Sequence, residues 1–442
     1  MKNRIFILIP LLFSGIFLYS QESGSAGKIS KSVELNISRY YSLYRYLHEH
    51  PELSFQEFST SERMASELGE LGFEITRNFG GTGVVGIYRN GMGPVVMIRT
   101  DMDALPIEEK TGLPYASKVV ATDWNGNQVG VMHACGHDIH MTVWTGVART
   151  LTDLKDQWQG TLIMIAQQAE ERSGGADQMI EEGLFTRFPV PDYALALHIS
   201  AEIPSTVVGY CPGATAAGVN SADITVYGEG GHGAYPHKTK DPVVLASRII
   251  LDLQTVVSRE LSPLEPAVVT VGSVHGGTQH NIIPDQVKLQ LTIRFYDDMV
   301  YRQIIEAIHR ITTGIAASAG LQEEKYPDVK IYESYTPPVL NDPELTGRAV
   351  ESFCKILGEE NVMKVEPTMA GEDFGRYGRT PEKVPIFMFW LGTVNHMDYT
   401  ESRQQGTALP PLHSPHLAPD YQNSIVTGIK AMSQAVLDLF NQ

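Results

Sequence analysis

The chain has 442 residues, of which 43% are hydrophobic and 19% are charged, a composition typical of a folded protein with more than one domain. This composition excludes a long disordered chain. The formal net charge of −17 at pH 7 argues against a nucleic-acid partner, because such binding requires a cationic surface that releases counterions.

Residues 1–20 have the pattern of a secretory signal peptide. A short basic start, MKNR, precedes the apolar run IFILIPLLFSGIFLY, and a polar stretch begins at Ser20-Gln21. The run is shorter than the ~20 residues of a typical membrane-spanning helix, so an uncleaved anchor is the less favoured alternative. We expect cleavage near residue 20, no membrane segment in the mature chain, and a periplasmic or secreted location.

Alternating helices and strands predict a layered α/β domain after this segment. The strands are apolar throughout, as expected for the central strands of a buried sheet. The predicted elements are, in chain order, helices at 38–52 and 54–73, strands at 83–88 and 94–106, a helix at 137–154, a strand at 160–171, a helix at 174–185 and a strand at 192–200.

The pattern changes near Cys211, where a smaller α+β domain is predicted. Its elements are a strand with a glycine-rich turn at 221–237, a helix at 241–260, strands at 267–277 and 286–297, and a helix at 301–320. The chain then returns to the first domain with a helix, a strand and a closing helix at 343–357, 384–393 and 418–440. We therefore predict a first domain formed by 38–213 and 330–442, interrupted by a smaller domain at 214–329; the resemblance described below implies that they are a catalytic domain and a lid domain.

Polar side chains occur where three of the predicted strands end. Asp101 and Asp103 end the second strand, Glu170 and Glu171 end the third, and His198 ends the fourth. Ligands of open α/β sheets gather outside the carboxyl ends of the strands, so we expect these side chains to lie close together.

The stretch HACGHDIH adds three histidines, a cysteine and an aspartate just before a predicted helix. Thiolate, imidazole and carboxylate ligands together suit zinc, with manganese, cobalt or nickel as alternatives. A helix N-terminus is also expected to lower the pKa of Cys135, so a Cys135 nucleophile with His137 as its base remains open. That alternative does not explain the glutamate pair. His133 and His140 are expected to be structural.

Glu170 and Glu171 are expected to have different roles. Neighbouring residues on an extended strand point in opposite directions, so the two carboxylates should not share one role. One could bind a metal ion while the other holds the attacking water as a general base.

Seven motifs occur in the order RTDMDALP, MHACGHD, AEE, ALHIS, GGHGAYPH, GEDF and LHSP. Together they closely resemble the di-metal amidohydrolases of the aminoacylase/carboxypeptidase superfamily. The closest likeness is to the branch of hippurate hydrolases, indole-acetyl-amino-acid hydrolases and bacterial N-acyl-amino-acid amidohydrolases. The resemblance extends from about residue 38 to the C-terminus. It implies a phosphorylase/hydrolase-like α/β fold of the zinc-exopeptidase type, with a mixed sheet and an inserted lid and dimerisation domain.

The resemblance also implies two divalent cations bridged by Cys135, which takes the place of the bridging carboxylate in the wider superfamily. The remaining ligands would be His137, Glu171, His198 and His413. Glu170 would be the general base. Asp103 would orient the site, and the role of Asp101 is open.

Three further residues of the predicted lid domain gain roles from the resemblance. His232 in GGHGAYPH would stabilise the oxyanion, often in the partner subunit's active site, which implies a homodimer. Asn281 and Arg294 would hold the carbonyl and the carboxylate of the substrate, since the arginine fork matches both carboxylate oxygens. A plain hairpin turn at His232 and a surface ion pair at Arg294 remain alternatives.

Three positions depart from the family pattern, of which Gly233 in GGHGAYPH, where alanine is common, is a minor change. Gln168 occupies the place where relatives often have a proline, which a strand should tolerate because glutamine can donate to the ladder. His416 in HSPHLAPD could compete with His413 as a ligand, but the LHSP frame favours His413.

The resemblance implies a metal-dependent hydrolase that cleaves the amide bond of an N-acyl amino acid or a small peptide-like substrate through metal-activated water. A dipeptidase or carboxypeptidase on the same scaffold remains open. A non-catalytic binding protein is a further alternative, opposed by the complete ligand set. The chain has three cysteines, and the sequence leaves open whether Cys211 and Cys354 form a disulfide.

Overall fold

A computed structural model describes residues 24–442, and the predicted signal peptide at residues 1–20 lies outside the described residues. The chain forms two compact units. The larger comprises the residues up to Tyr210, Asp342–Val365 and Glu382–Gln442, and the smaller comprises Cys211–Asn341 and Glu366–Pro381. No helix in the described part of the chain is long and apolar enough to cross a membrane.

The larger unit is built on an eight-stranded mixed sheet. Its strands are β1 (Glu74–Phe79), β2 (Gly83–Asn90), β3 (Val95–Asp101), β6 (Gly160–Gln167), β7 (Tyr193–Pro204), β8 (Val208–Tyr210), β17 (Val362–Lys364) and β18 (Ile386–Val394). They lie in the order β1-β2-β6-β3-β7-β18-β8-β17. The four central strands β6, β3, β7 and β18 run parallel, so their carboxyl ends share one edge of the sheet. A separate hairpin consists of β4 (Val120–Thr122) and β5 (Gln128–Gly130).

Helices complete the core of the larger unit. They are α1 (Ser25–Glu49), α2 (Phe58–Gly69), α3 (His137–Asp153), α4 (Gly175–Glu181), α5 (Leu184–Arg187), α8 (Pro343–Leu357), α9 (His396–Gln405) and α10 (Tyr421–Phe440). Glycines let α3 and α10 approach closely, since a Cβ at Gly146 would lie 2.2 Å from the Ile429 side chain. Most of α10 is buried, as expected for a helix that is apolar on most of its surface. The predicted α/β class with a mixed sheet is confirmed.

The smaller unit contains a four-stranded antiparallel sheet and two long helices. Its elements are β9 (Gly213–Ala216), β10 (Gly218–Tyr227), β11 (Gly231–His232), α6 (Pro242–Thr255), β12 (Ala267–Gly276), β13 (Ile282–Ile283), β14 (Gln286–Phe295), α7 (Asp298–Ser318), β15 (Asp328–Ile331) and β16 (Val339–Asn341). The sheet order is β12-β14-β10-β15. Burial alternates along β14, so one face of the sheet packs against the apolar sides of α6 and α7. Asp241 and Asp297 cap the two helices, as their side chains accept from backbone N–H groups in the first turn.

The unit boundaries differ from the predicted boundaries. The smaller unit extends to Asn341 instead of residue 329, and it also includes Glu366–Pro381, which we had assigned to the catalytic domain. Backbone hydrogen bonds explain the second difference: the Thr368 N–H donates to the Thr215 carbonyl at 3.1 Å. Pairing between such distant segments leaves no periodic pattern in the sequence.

Several elements also differ from prediction. Helix α1 begins at Ser25 instead of residue 38, because Ile29 and Val33 bury its first turns against the core. Strand β7 continues to Pro204, so His198 lies within the strand and not at its end. Strands β1 and β15 and helix α9 were missed. Helix α9 has no buried residues, and so it lacks the apolar stripe that predicts a helix.

Candidate metal centre

The predicted ligands meet at the shared carboxyl edge of the central strands of the larger unit. Asp101 pairs with Gln167 of β6. Asp101 and His198 each lie three residues beyond the paired residues Ile98 and Leu195 of β3 and β7. The parallel register therefore places polar residues of three strands at one level of the sheet.

Cys135 lies at the centre of this cluster. Its Sγ atom is 3.5 Å from Nε2 of His198 and 3.3 Å from Nε2 of His413. The thiol is buried, whereas the His413 side chain is 53% exposed. The cluster is thus enclosed by the sheet on one side and open on the side of His413.

His137 lies deeper than Cys135. It is fully buried, and its Nδ1 atom is 3.4 Å from Oδ1 of Asp103. Its Nε2 atom is 4.0 Å from Oε2 of Glu170 and 4.0 Å from Oε1 of Glu171. Among the described residues, neither ring nitrogen of His137 nor Oε1 of Glu171 has a hydrogen-bond partner of satisfactory geometry.

Two groups of potential ligand atoms share the Cys135 thiol. In each group, the ligand atoms lie within 4.8 Å of one another. The first group consists of Cys135, His137 and His198, and the second of Cys135, Glu171 and His413. One thiolate, three imidazoles and one carboxylate form a donor set that suits zinc and other borderline divalent cations. The buried nitrogens without partners and the shared thiol fit divalent cations, which these side chains would hold. The assignment of individual ligands stays a prediction.

Strained backbone positions bring these side chains together. Gly136, which precedes α3, has φ 77°, and a Cβ there would lie 2.2 Å from the Ile199 side chain. A glycine is therefore needed between Cys135 and His137. His413 has φ 63°, and its N–H donates to the carbonyl of Ala134 at 2.8 Å, which ties the LHSP segment to the HACGH loop.

The prediction that Glu170 and Glu171 lie on an extended strand is wrong. Strand β6 ends at Gln167, and residues Glu170–Arg172 form a tight 3₁₀ turn. Ala169 and Ser173 flank the turn with φ of 51° and 53°. Such a left-handed conformation costs an L-residue roughly 1–2 kcal/mol. The expectation that strand alternation points the two carboxylates apart is therefore wrong: the turn brings both to His137, and one ligand atom from each of the three side chains lies within 4.8 Å of the others.

Asp103 holds this turn. Its Oδ1 accepts from the N–H of Glu170 at 3.1 Å, and its Oδ2 accepts from the N–H of Glu171 at 3.0 Å. The hydroxyl of Ser54 donates to Oδ2 at 2.7 Å. Asp103 thus links the backbone of both glutamates to the ring of His137, and its orienting role stays a prediction.

Asp101 is occupied by protein partners. Its carboxylate accepts from Nη1 of Arg99 at 2.6 Å and lies 2.7 Å from Nδ1 of His140. Nε2 of His140 in turn accepts from the N–H of Ile199 at 2.9 Å. Burial lowers the pKa of His140 to about 4, so the ring is neutral and structural. This arrangement orients the edge of β7 next to His198.

The His198 ring is oriented by its own strand. Nδ1 of His198 lies 2.8 Å from the carbonyl oxygen of Ile199 and is placed to donate to it. That hydrogen bond selects the tautomer in which Nε2 carries the lone pair and faces Cys135. A backbone carbonyl behind a histidine is a common arrangement for a metal ligand.

Electrostatics favour a cation over a thiol nucleophile. Burial raises the pKa of Cys135 well above its usual value, and Glu171 and Glu170 raise it further. The predicted lowering by the helix N-terminus is therefore wrong, because desolvation and nearby carboxylates outweigh it. Burial alone would lower the pKa of His137, but Asp101 and Asp103 raise it to about 10. A divalent cation would satisfy a pocket that disfavours a lone thiolate and attracts positive charge.

His416 lies apart from the cluster. Its Nδ1 contacts the carbonyl of Lys110 at 3.1 Å, and it belongs to no ligand group within the described residues. The structure thus places His413, and not His416, beside Cys135. None of the three cysteines forms a disulfide in the structure, so Cys211 and Cys354 are not bridged.

The predicted substrate-binding residues lie in the smaller unit. His232 is exposed on β11, and the N–H of the next residue, Gly233, donates to the Asn281 carbonyl at 2.8 Å. Arg294 is partly buried on β14, where its Nε donates to the hydroxyl of Thr292 at 3.2 Å. Burial lowers the pKa of Arg294, and in the described structure its guanidinium donates to the Thr292 hydroxyl and the Met369 carbonyl.

Sequence reasoning missed a buried charge network in the larger unit. Nδ1 of His48 lies 2.7 Å from Asp138, and Nε2 lies 3.2 Å from Glu109. Burial opposes the charge on His48, but the two carboxylates raise its pKa to about 10. The only sequence signal was the position of Asp138 beside His137.

The sequence matches the model of the family described as Peptidase family M20/M25/M40 over residues 97–437. It is 38% identical over 355 residues to thermostable carboxypeptidase 2 from Saccharolobus solfataricus, covering 79% of this chain and 85% of that protein. It is 37% identical over 356 residues to N-acetyl-L-cysteine deacetylase from Bacillus subtilis, covering 80% of each. A solved dinuclear metal-binding peptidase of the M20 family from Bacillus subtilis superposes with a TM-score of 0.73 at 30% identity, covering 92% of this chain and 99% of that one.

Proposed function

The chain belongs to peptidase family M20/M25/M40 and is a hydrolase, and from that premise we propose that it cleaves the amide bond of an N-acyl amino acid. The family resemblance predicted from the seven motifs is confirmed. The N-acetylcysteine deacetylase relative supports an N-acyl amino acid as the substrate class.

One observation carries the proposal: the Cys135 thiol is shared by two groups of ligand atoms, and Glu170 lies beside them. We propose that Cys135, His137, Glu171, His198 and His413 hold two divalent cations. When bound, such ions polarise the substrate carbonyl and make water a nucleophile near neutral pH. Zinc, manganese, cobalt or nickel fit the donor set. Elemental analysis of protein purified from its native host would identify the ions.

The side chains supply orientation and proton transfer. Glu170 is nearly buried beside His137, where its carboxylate is placed to take a proton from the attacking water. The same carboxyl would then give that proton to the nitrogen of the leaving amine. Asp103 keeps Glu170 in place through its backbone N–H, so the general base is held by the turn and not only by its own rotamer.

Residues of the smaller unit supply recognition in this proposal. Arg294 has no carboxylate partner in the described structure, so its fork could bind the free carboxylate of an amino-acid substrate. Asn281 would donate to the substrate carbonyl, and His232 would stabilise the oxyanion. Substituting Arg294 with Met should raise KM for N-acyl amino acids without changing KM for their amides.

A carboxypeptidase is the second candidate, because a relative of similar identity carries that name. The two functions differ in what occupies the acyl side of the bond. A panel of N-acetyl amino acids, dipeptides and N-acylated peptides with a free C-terminus would separate them. Fastest release from N-acetyl amino acids supports the deacetylase proposal, and fastest release from the longer peptides supports the carboxypeptidase.

We also propose that the chain forms a homodimer through its smaller unit. Strand β12 is an edge strand, and Val274 on it is exposed, as are Val244 and Leu251 on α6. Exposed apolar side chains beside an open strand edge are typical of an interface. Sedimentation should give a dimer for the natural chain and a monomer for a Val244→Glu, Leu251→Glu variant.

Export is a further proposal, supported by the basic start and the apolar run at residues 1–20. Fractionation of the native host should locate the protein outside the cytoplasm and show an N-terminus near residue 20.

A further inference from the structure

The backbone N–H groups of Ala169, Glu170 and Glu171 all donate hydrogen bonds to buried carboxylates. Asp103 accepts from Glu170 and Glu171, as described above. The third N–H, that of Ala169, donates to Oε1 of Glu57 at 2.9 Å. Glu57 is fully buried and lies 112 residues away from Ala169 in the chain.

We propose that Glu57 is a positioning residue that holds the turn carrying Glu170 and Glu171 in its catalytic conformation. The inference rests on the proposed roles of those two glutamates. Ala169 lies two residues after the end of β6 and adopts φ 51°, a conformation that a non-glycine residue keeps only when its surroundings enforce it. A hydrogen bond from the N–H of that same residue to a side-chain oxygen held in a fixed position provides such enforcement.

The other contacts of Glu57 show that the carboxylate is itself held rigidly. Oε1 also accepts from the N–H of Phe55 at 2.9 Å, and Oε2 accepts from the hydroxyl of Thr82 at 2.8 Å. Ser54, in the same short loop, donates to Asp103. One loop therefore anchors both carboxylates that hold the turn.

Burying the Glu57 carboxylate beside Asp103 costs electrostatic free energy, which an uncharged side chain making the same hydrogen bond would avoid. Burial and the nearby Asp103 carboxylate raise the pKa of Glu57 to about 7. An apolar residue could fill the same space without that cost. Buried acids in unfavourable surroundings cluster at functional sites, and the contact with Ala169 shows what this acid does there.

The test compares Glu57→Leu with Glu67→Leu, a matched control on the same segment. Glu67 is also buried, but it pairs with Arg39 and Arg63 and does not contact the turn. We expect E57L to lower kcat by about 100-fold with KM little changed, because a small misplacement of a catalytic group has effects of this size. E67L should keep the natural kcat even where its thermal midpoint falls equally.

Titration with Co²⁺, followed by thiolate charge-transfer absorption, gives a readout that does not depend on turnover. E57L should need about tenfold more Co²⁺ for half-saturation than E67L, since Glu171 lies on the same turn. Glu57→Gln keeps a carbonyl oxygen for Ala169 and should recover most of the activity. Glu57→Asp retains the charge but is shorter by one methylene group, so its activity should remain low. If E57L does not fold, the comparison of E57Q with E57D tests the positioning role instead.

Equal kcat in E57L and E67L, or equal impairment in E57Q and E57L, would overturn the positioning role. Glu170→Gln is assayed in parallel. If the natural chain is active, E170Q is inactive and E57L is unimpaired, only the role of Glu57 fails. If the natural chain lacks metal-dependent amide hydrolysis, the proposed function itself fails.

Discussion

The Nε2 atom of His413 lies 3.3 Å from the Sγ atom of Cys135, although the two residues are 278 positions apart in the chain. The contact closes the candidate centre, because His413 is the only one of the five predicted ligands that follows the smaller unit in sequence. The larger unit must therefore complete its fold before the ligand set exists. Metal binding and folding of that unit should be coupled.

Replacing Glu170 with Gln tests the proposed proton transfer. Glutamine keeps the shape of the side chain and cannot take a proton, so kcat should fall by roughly 10²–10⁴-fold while both cations stay bound. Steady-state kinetics with metal analysis of the same sample measures both quantities. Full activity in E170Q would remove Glu170 from the mechanism.

Replacing Glu171 with Gln should have the opposite signature. Oε1 of Glu171 belongs to the group of ligand atoms around Cys135 and His413, so losing its charge should weaken metal binding first. Activity should return as the metal concentration rises. If E171Q instead binds metal normally and stays inactive, the roles of the two glutamates are exchanged.

Replacing Cys135 distinguishes a bridging thiolate from a nucleophile. Cys135→Ala should reduce the bound metal below that of the natural chain, because both groups of ligand atoms lose their shared member. Cys135→Asp offers a carboxylate as the bridge and should recover metal and part of the activity. A nucleophilic cysteine predicts instead that C135A keeps its metal and that C135D is as inactive as C135A.

Much of the candidate centre could be predicted, because short motifs carried its ligands in sequence order. Asp101, Glu170 and the HACGH loop each lie at or near the end of an apolar strand or the start of a helix, so local patterns were sufficient to place them. His413 and His416 could be told apart only by the motif frame. The structure separates them by the contact between His416 and the Lys110 carbonyl.

The missed features depend on contacts between distant segments. Glu57 follows an ordinary polar loop, and a single glutamate at the start of a helix is usually exposed. The turn at Ala169 contains no glycine or proline before the glutamates, so nothing local interrupts the predicted strand. Its conformation is stabilised by Asp103 and Glu57, which hydrogen-bond to it from other parts of the fold.

Gly175 tests how tightly the chain folds back after this turn. A Cβ at Gly175 would lie 1.6 Å from the carbonyl oxygen of Gln168. Gly175→Ala should therefore displace the turn, destabilise the fold by about 1–3 kcal/mol and lower kcat. Gly347→Ala is the matched control: its Cβ would meet no atom within 4 Å in α8, so it should stabilise the helix by about 0.5–1 kcal/mol. Unchanged kcat in G175A would contradict the close packing.

His48 predicts a loss of stability at alkaline pH. Its folded pKa of about 10 lies above the ordinary value of 6.5, so its contribution is fully present below pH 6.5 and is lost as the pH rises through about 10. The contribution is on the order of a few kcal/mol. Thermal midpoints measured from pH 7 to 10 should fall more steeply for the natural chain than for His48→Gln. Parallel curves would show that His48 does not carry a charge in the folded state.

The most direct test of the whole account is amine release from an N-acetyl amino acid before chelation, after chelation and after divalent metal is restored, with the bound ions counted at each step. We predict that activity disappears with the metal and returns as two ions bind to each chain, and that a thiol reagent leaves the activity of the loaded protein unchanged. Amine release that is indifferent to the chelator but blocked by the thiol reagent would contradict the account and assign Cys135 to nucleophilic catalysis.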